Sequence, residues 1–188
     1  MNKKRFSSSY SKNNFDIVFK KICGEIKPKS ILEIGLLDGY SLNSFVNHSS
    51  KDTKIIGVDL FESYEYKNSN YQNIKTMFSS NKNVEIFHGD FYNYYKTSNN
   101  FDIIHIDISN DGDIYQFSIE NYLPITNKLL VLEGGSEDRD NVHWMTKYKK
   151  PKINDFLNSL EVNVQYQTIE LFPSITIFSK TNQQIDFA

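Results

Sequence analysis

A single cysteine, Cys23, stands in 188 residues, which excludes an internal disulfide. No cysteine or histidine lies at metal-ligand spacing around it, so the chain suits a reducing compartment, and Cys23 reads as a small residue on a helix face. An excess of one charge is equally missing: the formal net charge of −2 gives no global attraction to nucleic acid or to an anionic membrane. No apolar run approaches transmembrane length, and none of signal-peptide length follows the basic, serine-rich opening MNKKRFSSSYSKNN. A soluble, cytoplasmic protein is expected. With no internal repeat and no linker, residues 15–188 are expected to form one domain behind a flexible N-terminal segment, 1–14, frayed or a short cap, whose composition buries little surface.

What is present is alternation. Phe15, Ile17, Val18, Phe19, Ile22 and Ile26 approximate helical spacing up to Pro28 and predict an N-terminal helix. Short apolar runs then recur at 31–35, 54–60, 83–89, 101–107 and 128–134. The stretches between them, at 41–46, 71–78, 91–95 and 114–122, predict helices, with another at 153–160. Such alternation argues for parallel strands joined by crossover helices. The last two runs, 164–171 and 174–180, are separated by Phe172 and Pro173 alone, too short for a crossover, so they are expected to pair antiparallel. The fold class is α/β: a Rossmann-like, doubly wound, mostly parallel sheet closed by a C-terminal antiparallel hairpin.

Within that frame one segment carries chemistry. In ILEIGLLDGYS, Ile31 to Ser41, a strand reaches Glu33 and turns through Gly35 and Gly39 into a helix start. Glycine adopts positive φ and has no Cβ, so such a turn admits a ligand close to the backbone and aims N–H groups at it. Ligands of open α/β sheets sit beyond the carboxyl ends of the strands. Acids fall at those ends: Asp59 after the second run, Asp90 after the third, Asp107 after the fourth and Glu133 after the fifth. Four acids at successive strand tips beside one glycine turn point to a built site.

EIGLLDGYS, GVDLFE, the HGDF step at 88–91 and FDIIHID, in this order, resemble the class I S-adenosylmethionine-dependent methyltransferases, in particular small O-methyltransferases related to catechol and macrolide-sugar enzymes. The resemblance covers roughly Ile31 to Gly134. It implies that Gly35, Gly39 and Ser41 surround the methionine part of the cofactor and that Glu33 supports this loop. Asp59 would accept the ribose hydroxyls, each charged hydrogen bond contributing about 1.5 to 3 kcal/mol. Asp90 would take the adenine amino group, and Leu60 and Phe91 would wall the ring. Asp107 would stand near the reacting methyl.

In the metal-dependent branch of that family the Asp matching Asp107 is joined by an Asp pair after strand five and binds magnesium, whereas here the strand ends in LEGGSED, with Glu133 at the first position and Gly134 at the second. Asp107 and Glu133 are the metal candidates, with Asp111 or Asp113 as helpers, and a metal-free site is the alternative. His105, inside the fourth run, reads as a packed, hydrogen-bonded histidine. The connection 134–151 brings His143 as a general-base candidate, Arg139 as a holder of an anionic substrate group, and Trp144. A surface loop or short helix with internal ion pairs would explain it as well.

The leading function is O-methylation of a small hydroxylated metabolite or sugar. RNA methylation is a second reading, carried by Lys147, Lys149, Lys150 and Lys152 around Tyr148; the acidic balance opposes it. A noncatalytic cofactor-binding module is a third. A nicotinamide dehydrogenase fits poorly, since Gly35 to Gly39 lacks the G-x-G-x-x-G spacing.

Overall fold

The computed structural model describes residues 6–66, 69–97, 99–160, 164–180 and 185–186. One sheet contains β1 (Ser30–Ile34), β2 (Lys54–Asp59), β3 (Val84–His88), β4 (Phe101–Ile106), β5 (Thr126–Glu133), β6 (Tyr166–Ile169) and β7 (Ile175–Ser179), in the order β3-β2-β1-β4-β5-β7-β6. The first five pair parallel, and β7 runs antiparallel to both β5 and β6. This is the Rossmann-like architecture expected from the alternation. The hairpin adds one feature the pattern did not carry: its second strand, β7, inserts beside β5 and leaves β6 at the edge.

The helices are α1 (Ser9–Lys12), α2 (Asp16–Ile26), α3 (Tyr40–His48), α4 (Tyr71–Met77), α5 (Phe91–Tyr94), α6 (Gly112–Asn121), α7 (Glu137–Asp140), α8 (His143–Lys147) and α9 (Ile153–Ser159). Strand period two divides the core. Ile31, Ile55 and Ile103 pack with Phe19, Ile22 and Phe45 of α2 and α3, while Leu32, Ile56 and Ile104 pack on the other face with Tyr115 and Leu157 of α6 and α9. Both faces of β4 are therefore covered, and its six residues are all buried. α6 starts two residues earlier than expected because the Asp111 carboxylate accepts from the Ile114 N–H at 3.0 Å and caps the first turn.

Over residues 6–14 the N-terminal segment docks as a short cap. Tyr10 is 2% exposed and packs on Phe15, Phe19 and His105. Asp38 Oδ2 accepts from the N–H groups of Ser7 (2.5 Å) and Ser8 (3.1 Å). One aromatic anchor and one carboxylate latch outweigh a polar composition; residues 1–5 lie outside the described part. The connection 134–151 takes the short-helix form of the two offered, folding as α7 and α8. The Asp140 carboxylate accepts from the N–H groups of Ile153 and Asn154, at 2.8 and 2.9 Å, fastening it to α9. Among the described residues no helix is long and apolar enough to cross a membrane.

Candidate active site

The strand order reverses between β1 and β4, and the chain leaves β1 through Gly35 at φ +88°. Geometry requires glycine here twice over: the left-handed φ disfavours a side chain, and a Cβ would lie 2.0 Å from the Asp107 carbonyl oxygen. Leu37 and Gly39 also take positive φ, so the loop doubles back before α3 begins. Asp59, at the tip of β2, ties this loop. Its Oδ2 accepts from the N–H groups of Leu36 (2.7 Å) and Leu37 (3.3 Å), and its Oδ1 from that of Phe61 (2.8 Å). Two loop N–H groups that could have met a ligand carboxylate are thus used by the chain. Of about four acceptor positions on a carboxylate, Asp59 retains roughly one.

Beneath the loop, register sets Glu33 opposite His105 on β1 and β4. Both are fully buried. Glu33 Oε1 accepts from the Ser41 hydroxyl and lies 3.3 Å from His105 Nδ1, while His105 Nε2 lies 3.3 Å from the Tyr10 hydroxyl. His105 is the packed, hydrogen-bonded histidine that the sequence indicates. Ser41 serves Glu33 under the loop, and a Cβ added at Gly39 would stand 3.3 Å from Met77 and Phe78 of the α4 region.

Over the tips of β1 to β4 lies a cavity of about 480 Å³. Of the residues singled out in the sequence, Gly35, Asp59, Leu60, Asp90, Phe91, Asp107, Asp111, Asp113 and Lys150 line it, whereas Glu33, Gly39, Ser41, Glu133 and His143 do not. Leu60 and Phe91 are its apolar walls. Asp90 caps α5, accepting from the Tyr92 N–H at 3.1 Å and from the Asn93 amide at 2.8 Å. Asp107 is half-buried, and its carboxyl is held well above the ordinary carboxylate range by burial first, then by Glu133 and Glu33, with Arg139 opposing. At the rim Lys150 Nζ meets Asp111 at 2.9 Å.

A model of a methyltransferase domain matches residues 32–131, more than half of the chain. The chain belongs to the methyltransferase-domain family. Solved structures agree on its fold. The methyltransferase superposes on the O-methyltransferase TomG of Streptomyces achromogenes, involved in tomaymycin synthesis and solved in complex with SAM, with a TM-score of 0.65 and 16% identity over 92% of this chain and 81% of that one. The O-methyltransferase of Bacillus cereus in complex with SAH gives 0.63 and 14% over 92% and 82%. SAH-bound PaMTH1 of Podospora anserina gives 0.63 and 16% over 92% and 79%. No curated protein matches the sequence.

The metal reading of this methyltransferase is corrected. Both carboxylate oxygens of Glu133 are held by one guanidinium, Arg139 Nε to Oε1 at 2.5 Å and Nη2 to Oε2 at 2.8 Å, and Asp111 is engaged by Lys150. Among the described residues no group of three or more His, Cys, Asp or Glu side chains is arranged to hold a metal. The residues present do not fit a divalent ion. His143 is corrected as well: it is exposed at the first residue of α8, outside the cavity, so the base role there is withdrawn. Arg139 faces Glu133, not a substrate anion, and Trp144 lies over it at 5.0 Å. Of the lysines around Tyr148, Lys150 is committed to Asp111 and Lys147 lies over the Tyr148 ring at 5.1 Å.

Sequence reasoning missed Tyr10, Asp38 and Ser69 in the methyltransferase. Ser69 lines the cavity with a buried hydroxyl that has no partner among the described residues. The Glu133–Arg139 pair had a signal: an acid at a strand end, two glycines, then a cation four residues on, in LEGGSEDR.

Proposed function

We propose that this methyltransferase moves the methyl group of S-adenosylmethionine to an oxygen of a small hydroxylated acceptor, a metabolite or a sugar. The observation that carries the reading is Asp107, a carboxylate at the tip of β4 that lines the cavity beside the Gly35 turn. The cavity suits a nucleoside. Asp59 and Asp90 offer acceptor oxygens, Leu60 and Phe91 offer apolar walls, and the missing Cβ at Gly35 lets the backbone after β1 lie against that of Asp107 at the cavity floor. The SAM and SAH bound by TomG and by the B. cereus enzyme support the same donor here.

When bound, the donor supplies a methyl on a sulfonium, already a good leaving group. The chain's own task is to orient the acceptor and to take its proton. Asp107 suits the second part, because burial and neighbouring acids raise its proton affinity toward the working range of a general base. An RNA acceptor draws less support, since Lys150 is paired with Asp111. Calorimetric titration with SAM and with SAH tests the reading. Wild-type protein is expected to bind both, and Asp59→Ala is expected to weaken binding by about 1 to 3 kcal/mol through lost hydrogen bonds and a loosened loop. Folded wild-type protein that gives neither heat nor a thermal shift would overturn it.

A further inference from the structure

Glu133 closes β5 and Asp107 follows β4, so two acids stand at neighbouring strand tips; Glu133 is 6% exposed. Each carboxyl is raised by burial, and the charge of Glu133 raises Asp107 further. A buried carboxylate, Glu133, beside a half-buried one, Asp107, calls for a compensating cation, because leaving a buried charge uncompensated is strongly destabilising. The chain brings that cation back on a tight return. Gly134 and Gly135 turn with φ +107° and +109°, Ser136 caps α7 through the Arg139 N–H, and Arg139 folds over the strand tip that lies six residues before it.

Its guanidinium is fixed on three sides. Nε and Nη2 take the two oxygens of Glu133, Nη2 also donates to the Asn110 carbonyl at 3.2 Å, and Trp144 covers the face. Asn110, itself buried, donates to the carbonyls of Ile106 and Glu133 and so braces the two tips against each other. Arg139 is 5% exposed, and its Nη1 has no acceptor among the described residues. Burial disfavours the charge on Arg139, but the Glu133 hydrogen bonds and charge outweigh it and hold its pKa above the ordinary value. The planar, bidentate match is one that a guanidinium makes and an ammonium does not.

We propose that Arg139 is a tethered cation occupying the place at the tips of β4 and β5 where the paired acids Asp107 and Glu133 would otherwise gather a divalent ion. The site is filled by the chain itself. Arg139 acts as a positioning residue: it holds Glu133 away from ligands and counters the acids that raise Asp107. The methyl-transfer reading contributes only the functional meaning of Asp107, and the geometry stands without it.

The test uses Mg²⁺ alone, by calorimetry and thermal shift, on the full chain. Wild-type protein is expected to show no Mg²⁺ heat and no shift. Arg139→Ala vacates the place and is expected to bind Mg²⁺ at least about tenfold more tightly than wild type, with a Mg²⁺-dependent rise in midpoint. Adding Glu133→Gln is expected to remove that gain, and Arg139→Lys to suppress most of it. Mg²⁺ binding by wild-type protein, or no gain in Arg139→Ala, overturns the proposal. Should Arg139→Ala not fold, Arg139→Met, which keeps the packing volume, takes its place. Failure of SAM to bind wild-type protein would remove the methyl-transfer reading and leave this comparison intact.

Discussion

Alanine at position 35 would insert one methyl group where β1 hands the chain to the cavity loop. Two penalties arise. The left-handed φ of +88° costs an ordinary L residue about 1–2 kcal/mol. The new Cβ would also stand 2.0 Å from the Asp107 carbonyl oxygen, 2.7 Å from its carbon and 2.9 Å from Ile108 Cγ2, well inside the roughly 3.5 Å at which carbon contacts become favourable. Relief requires the tips of β1 and β4 to part. The Asp107 N–H donates to the Ile34 carbonyl at 2.9 Å and resists that movement, so an overpacking cost of about 1–3 kcal/mol is added. The sum is about 2–5 kcal/mol of lost stability. Gly39→Ala is the control. It shares the strained φ, at +81°, but its nearest neighbours are the Met77 sulfur and the Phe78 ring edge at 3.3 Å, side chains able to yield, which leaves the conformational term of about 1–2 kcal/mol. Urea unfolding of the three proteins at unchanged m-value measures the difference, and SAM titration reports whether the cavity opens with the tips. A Gly35→Ala protein within about 0.5 kcal/mol of wild type, or one no worse than Gly39→Ala, would refute the close-approach reasoning.

Two other outcomes are expected. An acid whose pKa is raised on folding supports the fold fully below its unfolded value near 3.8 and loses that contribution as pH rises toward the folded value. Asp107→Asn should therefore raise the unfolding midpoint at neutral pH, change it little below pH 3.8, and abolish methyl transfer; equal midpoints at neutral pH would contradict the raised value. Gly24 sits exposed within α2, with nothing within 4 Å of where an added methyl would stand, so Gly24→Ala should stabilise by about 0.5–1 kcal/mol in urea unfolding, and a loss would show that the helix face is not open.

The parallel half of the fold was legible because each strand carries apolar residues on both faces and each is followed by a helix-length polar stretch, a pattern with few solutions. Segment ends shifted by a residue or two where a cap decided them, as Asp111 does for α6. The position of β7 between β5 and β6 was not legible, because a tight turn fixes which strands pair and not which of them meets the sheet. The docking of the N-terminal segment was not legible for a different reason. Its composition is polar on average, but it is held by one tyrosine entering a slot between α2 and His105 and by the Asp38 carboxylate, and averages do not see single residues.

The strand-tip acids show where pattern reading ends and structure begins. In the sequence Glu33, Asp59, Asp90, Asp107 and Glu133 look alike, each a carboxylate at or near the end of an apolar run. Their capacity to accept hydrogen bonds separates them. Glu33 is engaged at Oε1 by Ser41 and His105, while its buried Oε2 has no partner among the described residues; Asp59 is taken up largely by three backbone N–H groups, Asp90 by the start of α5, and Glu133 by Arg139. Asp107 alone among the five receives no hydrogen bond at its carboxylate among the described residues, and it is the one set between the Gly35 turn and the cavity. A half-buried carboxylate without protein donors is costly to keep. The fold holds it there with acids on two sides and one arginine to offset them, an arrangement that makes sense where a ligand brings the missing donor.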